Sequence, residues 1–236
     1  MINPFLLVLF ISMIAVSCGP TEEEIKEREA FVADSIKRIN EEIRIHNEKI
    51  EVGKQLRQNW IKNMIEEIDT ELRHANNRLK EIDDFVIGRS LSTKKRQLRE
   101  QRETISTLKT TKANLQTELA KTNLFKSFDF QCTPEGTINY LFEAAKSNDF
   151  SKLRHIGDPY GELGEGLYEL TTIEAFPSEV QNEFVNILSE GRIMGEPIIN
   201  QDTAVIEIAV GYNSDRLNKV KLIKRRKHWY LLSLVM

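Results

Sequence analysis

Apolar positions recur along this chain at several spacings, and each spacing predicts a different kind of element. Residues 5–16 form an apolar run, with Ser12 its one polar residue, that ends in Ser17-Cys18-Gly19. A bilayer core needs about 20 such residues, whereas the apolar region of a secretory leader needs only about 7–15. The run therefore predicts a leader. Between 25 and 50 the apolar residues fall on a heptad, with Ile25, Val32 and Ile39 at one core position and Ile36, Ile43 and Ile50 at the other. The steps alternate between three and four and the remaining positions are mostly charged, which predicts a helix carrying a coiled-coil seam. His46 and Gly53 occupy core positions further along. A second stripe, Ile61, Ile65, Ile68, Leu72, Ala75, Leu79, Ile82 and Val86, is displaced by one residue from the first. That displacement predicts that the helix changes partner between 53 and 60.

Gly88 is the expected C-terminal stop of this helix, and Ser90, Ser92 and Thr93 offer hydroxyl caps for the next one. The next helix, about 92–122, has a sparser stripe of Leu98, Ile105, Leu108, Leu115 and Leu119. Residues 60–88 hold seven acids and four bases, while 89–126 hold ten bases and three acids. Opposite charge on facing flanks favours pairing of two helices joined by a short loop, so 60–122 reads as an antiparallel helical hairpin about 40 Å long. Beyond 128 the pattern changes. Thr133-Pro134-Glu135 supplies an N-cap and an N1 proline for a helix with Ile138, Leu141, Phe142 and Ala145 on one face. Asn148-Asp149-Phe150 ends it and opens a short helix through Leu153. A glycine-rich acidic loop follows over 157–166, then a helix over about 177–189 with Val180, Phe184, Ile187 and Leu188 inward. Strands are predicted at 192–199, 203–212, 217–225 and 229–235, with turns at Asn213-Ser214-Asp215 and Arg226-Lys227.

Helices first and antiparallel strands last is an α+β order. The expected layout is a leader over 1–17, an acidic linker and coiled-coil helix over 18–59, the hairpin over 60–122, and a helices-on-sheet domain over 128–236. Net charge is −3, with 33 basic and 36 acidic residues, so no basic excess argues for nucleic acid. The two cysteines, Cys18 and Cys132, are far apart in sequence. Cys132 follows Phe128 and Phe130 at alternate positions and is expected to be a small buried side chain.

Two resemblances add to this reading. Ala15-Val16-Ser17-Cys18 resembles the lipobox of bacterial lipoproteins. It implies cleavage after Ser17, acylation of Cys18 and stable membrane attachment by the acyl chains in the cell envelope, on either face of the outer membrane. Thr21 is a plausible N-cap, and Glu22, Glu23 and Glu24 suit the positive end of a helix dipole. The same acidic run also resembles the surface-export signal of some lipoproteins. In the second half, the stretch from Thr133-Pro134-Glu135 to Leu153, Asp202-Thr203-Ala204-Val205-Ile206, and Val220-Lys221-Leu222 leading to Trp229-Tyr230-Leu231 resemble the nuclear-transport-factor-like, cystatin-type cone of a lipoprotein branch. That likeness spans under half of the chain.

Candidate chemistry is sparse. His46, His74, His155 and His228 make no metal-ligand spacing with each other or with cysteine. Gly161, Gly164 and Gly166 are not in the order of a dinucleotide loop, and Asp158, Glu162 and Glu165 would repel phosphate. Enzymatic relatives of the cone (polyketide cyclases and steroid isomerases) place an Asp or His acid–base group at its open end, but no acid here matches such a position. The expected role is therefore non-catalytic binding or scaffolding, without a cofactor or metal. A small-molecule enzyme using the pocket of the cone is the alternative. Two surfaces are candidates for partners. Residues 25–50 are a surface for self-association, with β-branched residues at both core positions disfavouring dimers and favouring trimers or higher, or else a face that packs on the chain's own hairpin. Arg89, Lys94, Lys95, Arg96, Arg99 and Arg102 crowd the hairpin tip as a candidate site for glycolipid phosphate or an acidic envelope protein.

Overall fold

The computed structural model describes residues 22–84, 91–121, 125–164, 166–211 and 214–235. The leader over 1–17, Cys18, Thr21, Val86, Gly88, Arg89, Ser90, Glu165 and Asn213 lie outside the described residues. Helix α1 is Glu22–Asp84 and α2 is Leu91–Leu119. After a 3-10 turn at Asp129–Cys132 come α3, Pro134–Ser147, the short α4, Leu167–Thr171, and α5, Ser178–Leu188. The strands are β1, Arg192–Asn200, β2, Thr203–Val210, β3, Arg216–Arg225, and β4, His228–Val235. The fold is α+β. The chain divides into two compact units, one ending at Glu48 and the other running from Lys49 onward.

In the first unit, α1 opens with Glu22, Glu23 and Glu24 at the end of the helix where the backbone dipole favours negative charge. Its apolar stripe is solvent-facing: Ile25, Val32, Ile36, Ile39 and Ile43 are between 38 and 54% exposed.

The second unit contains the rest of α1. Here the stripe turns inward, and Ile61, Ile68 and Leu115 of α2 form a small core with Ala175. Cross-links fix the two helices as antiparallel. Lys94 pairs with Asp83, Gln101 donates to the Ala75 carbonyl at 3.0 Å, and Lys112 pairs with Asp69 at 2.5 Å. Burial of the helix begins at Gly53, which packs on the loop after α3. A methyl group on Gly53 would lie 2.2 Å from the Pro159 carbonyl oxygen, so only glycine lets the helix meet this loop.

The sheet is a simple antiparallel meander in the order β1-β2-β3-β4. Alternate strand residues share a face. Ala204, Ile206 and Ile208, Val220 and Leu222, and Leu231 form the inner face against Ile138, Leu141 and Phe142 of α3 and Phe184 and Leu188 of α5. Helix α3 is capped as its sequence predicts. The Thr133 hydroxyl oxygen accepts from the Gly136 N–H at 3.0 Å, Pro134 takes the first turn, and Asn148 closes the helix at φ 55°. The free edge of β4 is covered by the loop after α3, through Leu231 N–H to Ile156 at 2.7 Å and Gly164 N–H to Leu232 at 2.8 Å. Strand β1 is interrupted between Met194 and Ile198, where Gly195 and Pro197 sit.

Three expectations are corrected. Cys132 is exposed rather than buried, because it ends the 3-10 turn whose inward residue is Gln131. The Gln131 amide instead fills the interior, accepting from Phe128 N–H and donating to the carbonyls of His155 and Trp229. Val180 is 40% exposed although it lies one turn before Phe184 on the same side of α5, because burial of that face begins only at Phe184 and continues to Leu188. The hairpin and the C-terminal domain, laid out as separate segments, instead share a buried interface, as Gly53 and Ala175 already indicate.

Replacing Gly53 with alanine tests this packing. In an ordinary helix interior the change stabilises by about 1 kcal/mol. Here it should lower the melting temperature, with a net cost of about 1–3 kcal/mol from overpacking. A Gly53→Ala chain that melts higher than the parent would contradict the close approach.

Candidate functional site

The basic tip begins at α2. Lys94, Lys95 and Arg96 lie near its N-terminus, where the helix dipole disfavours cations. Three of the cations are satisfied within the hairpin. Lys94 donates to the Asp83 carbonyl and faces its carboxylate at 3.7 Å, Arg96 faces Glu100 at 3.6 Å, and Arg99 faces Glu103 at 3.7 Å. Lys95 and Arg102 are exposed. The structure thus brings Lys94, Lys95, Arg96, Arg99 and Arg102 to one end of α2, but much of their charge is neutralised along its own helix. Arg89 and Cys18 lie outside the described residues. A hollow of about 450 Å³ along the hairpin is bordered by Arg78, Glu81, Gln97, Glu100, Gln101 and Thr104, a polar rather than apolar wall.

A different cluster, absent from the expected sites, lies where the hairpin meets the C-terminal domain. Arg57 of α1 is 3% exposed. Its guanidinium donates to the Thr171 hydroxyl at 2.9 Å, the Thr171 carbonyl at 3.2 Å, and the Glu118 carboxylate at 3.0 Å. The second oxygen of Glu118 meets Lys121 at 2.6 Å and Arg154 at 3.4 Å. Arg154 and Lys121 both reach Glu174. Burial alone pushes the Glu118 carboxyl up, but Lys121, Arg154 and Arg57 together outweigh it and hold it below the ordinary carboxylate range. Burial pushes the Arg57 guanidinium down against the pull of Glu118.

Asp158, also buried, forms a second pair. Its carboxylate takes the Arg225 guanidinium at 2.8 Å, and Arg225 also reaches Glu162 at 2.8 Å. Arg225 stacks over the Tyr160 ring at 4.2 Å, and Lys49 lies over the same ring at 5.3 Å. The loop expected to be an ordinary acidic loop is therefore partly an internal support. The Arg57 Nε is buried without a hydrogen-bond partner beside a cavity of about 10 Å³, bordered by Arg154, Asp158, Tyr168 and Thr171. Such a cavity accommodates about one water.

Among the described residues no three His, Cys, Asp or Glu side chains converge as metal ligands. No described helix is long and apolar enough to cross a membrane. No family model matches the chain, and none of the curated proteins or solved structures compared with it is similar to it.

The buried pairs were missed because Arg57 and Glu118 read as helix-surface charges. A signal was nevertheless present. Arg57 is one turn before Ile61, and Glu118 is one turn after Leu115, so both lie in phase with apolar stripes. Removing one partner of a buried ion pair strands the other charge, at a cost of about 3–5 kcal/mol. Glu118→Gln should lower stability to chemical denaturation by that order. The folded Glu118 carboxyl titrates below its unfolded value, so its contribution is full above the unfolded value and fades as pH falls through the folded one. Denaturation across the acid range should therefore be less pH-dependent in the glutamine variant. An unchanged acid profile would contradict the assignment.

Proposed function

We propose that this chain is a lipid-anchored cell-envelope protein acting as a non-catalytic binding or scaffolding module. In this reading the acylated Cys18 attaches it to a membrane, the outer membrane by preference. Residues 18–59 form a self-associating coiled-coil stalk. The hairpin and a cone-shaped, nuclear-transport-factor-like domain present binding surfaces to a protein or glycolipid partner of the envelope.

The observation that carries the binding role is how the C-terminal interior is filled. Ile138 and Leu141 of α3, and Ile206, Leu222 and Leu231 on the inner face of the sheet, are all 0–1% exposed. The cavity nearest the buried carboxylate Asp158 has room for little more than a water. Ligand sites typically offer about 300–1,000 Å³, so recognition here falls to outer surfaces. The leader-like run, the cysteine after Ser17 and the acidic start of α1 support the anchored location.

Attachment is tested by Cys18→Ala. The variant should pass from the detergent phase to the soluble fraction and its precursor should go unprocessed; continued membrane association with normal processing would overturn the anchor. The basic tip is tested separately by Lys94→Glu, Lys95→Glu and Arg96→Glu together. Capture of anionic envelope components should fall in the triple variant, and in the parent it should weaken with added salt, since exposed charges are screened over about 8 Å at physiological ionic strength. Equal capture by parent and variant would exclude the tip as the site.

A further inference from the structure

The exposed stripe of the first unit carries two polar residues on its seam, and they decide how it can be covered. Taking Ile36 and Ile43 as one core position and Ile25, Val32 and Ile39 as the other, the same heptad puts Glu29 in the first set and His46 in the second. The ion pairs of this segment, Asp34 with Arg38 and Arg44 with Glu41 and Glu48, lie on the opposite side of the helix. The positions flanking the middle of the seam are Ala33, Ser35, Asn40, Glu42 and Asn47, which carry one charge between them. Charge on the flanks is otherwise confined to the ends of the seam, at Lys26, Arg28 and Lys49. A partner for this face must offer its own seven-residue apolar repeat, and a second copy of the chain does.

We infer that residues 25–50 pair with a second copy of themselves as an antiparallel two-helix coil. This rests on reading the segment as a self-association surface and adds its partner, order and direction. In a parallel, in-register bundle every core layer faces its own kind, so Glu29 would meet Glu29 and His46 would meet His46. Running the copies in opposite directions removes both conflicts at once. Ile36 then faces Ile39, Val32 faces Ile43, Ile25 faces Ile50, and Glu29 faces His46 at each end. All of these pairs are reciprocal, as a twofold axis requires. The preference of β-branched cores for trimers belongs to parallel assemblies, in which like core positions meet in each layer.

The test is sedimentation of the full-length chain in density-matched detergent, at concentrations on the order of 50 µM, where a Kd of about 1 µM leaves little monomer. The parent should be a dimer. Glu29→Lys and His46→Glu should each raise the dissociation constant about tenfold or more by placing like or unmatched charge in the seam. The double variant Glu29→Lys/His46→Glu should recover the parent's constant, because the exchanged charges still face each other. Glu29 is exposed and His46 half-buried, and unchanged helicity by circular dichroism separates lost association from lost folding. A monomeric parent would overturn both self-association and the antiparallel pair. A parent that associates but is not restored by the double variant, or that sediments as a trimer, would overturn the antiparallel pair and leave self-association standing.

Discussion

Burying the Arg57 guanidinium imposes conditions that much of the second unit has to meet. A charge taken out of water costs several kcal/mol unless its partners are already in position. Those partners are the Glu118 carboxylate, 61 residues away on α2, and Thr171, 114 residues away at the end of α4. The charge is satisfied only when the hairpin has closed and the C-terminal domain has docked on it. Lys121 and Arg154 then balance the second oxygen of Glu118 and extend the network to Glu174. A buried ion cluster of this kind need not add much net stability. It does penalise any misplacement of the three segments, since each displaced arrangement strands a buried charge.

The close contact at Gly53 serves the same assembly. Without a side chain the helix approaches the Pro159–Gly161 backbone closely, one turn before Arg57 enters the cluster. Lys49 and Arg225 sit over the ring of Tyr160, and Arg225 in turn neutralises Asp158. Apolar packing of Ile61, Ile68, Leu115 and Ala175 adds attraction without direction, while the ion pairs supply the direction. The two kinds of contact alternate along α1 and α2, which is why the hairpin and the domain belong to one unit.

The sheet is covered on its inner face and along the edge of β4. Unpaired strand edges invite pairing with other chains. The edge of β4 is occupied by the loop from Ile156 to Gly164, and β1 is broken at Gly195 and Pro197. The inner face is filled by α3 and α5. The exposed apolar stripe of α1 and the exposed cations of α2 lie instead on helical surfaces.

The elements themselves were legible in the chain. Thr133-Pro134, Asn148 and the alternation of Val205 to Val210 specify their local structure through capping, fixed backbone angles and side-chain crowding, all of which act within a few residues. The stripe of α1 is displaced by one residue beside a glycine, and the structure buries the helix from that glycine onward. The α+β order followed from the same patterns. Burial of polar groups was not legible. Arg57 and Glu118 lie in phase with apolar stripes, but that phase alone does not say whether a charge will be buried or solvated, and Cys132 faces outward because the 3-10 turn it ends points Gln131 inward. Those outcomes depend on which distant segment arrives opposite each side chain. A charge has no inside or outside until its neighbours from the rest of the chain have excluded the water around it, and here only the tertiary structure decided where that happened.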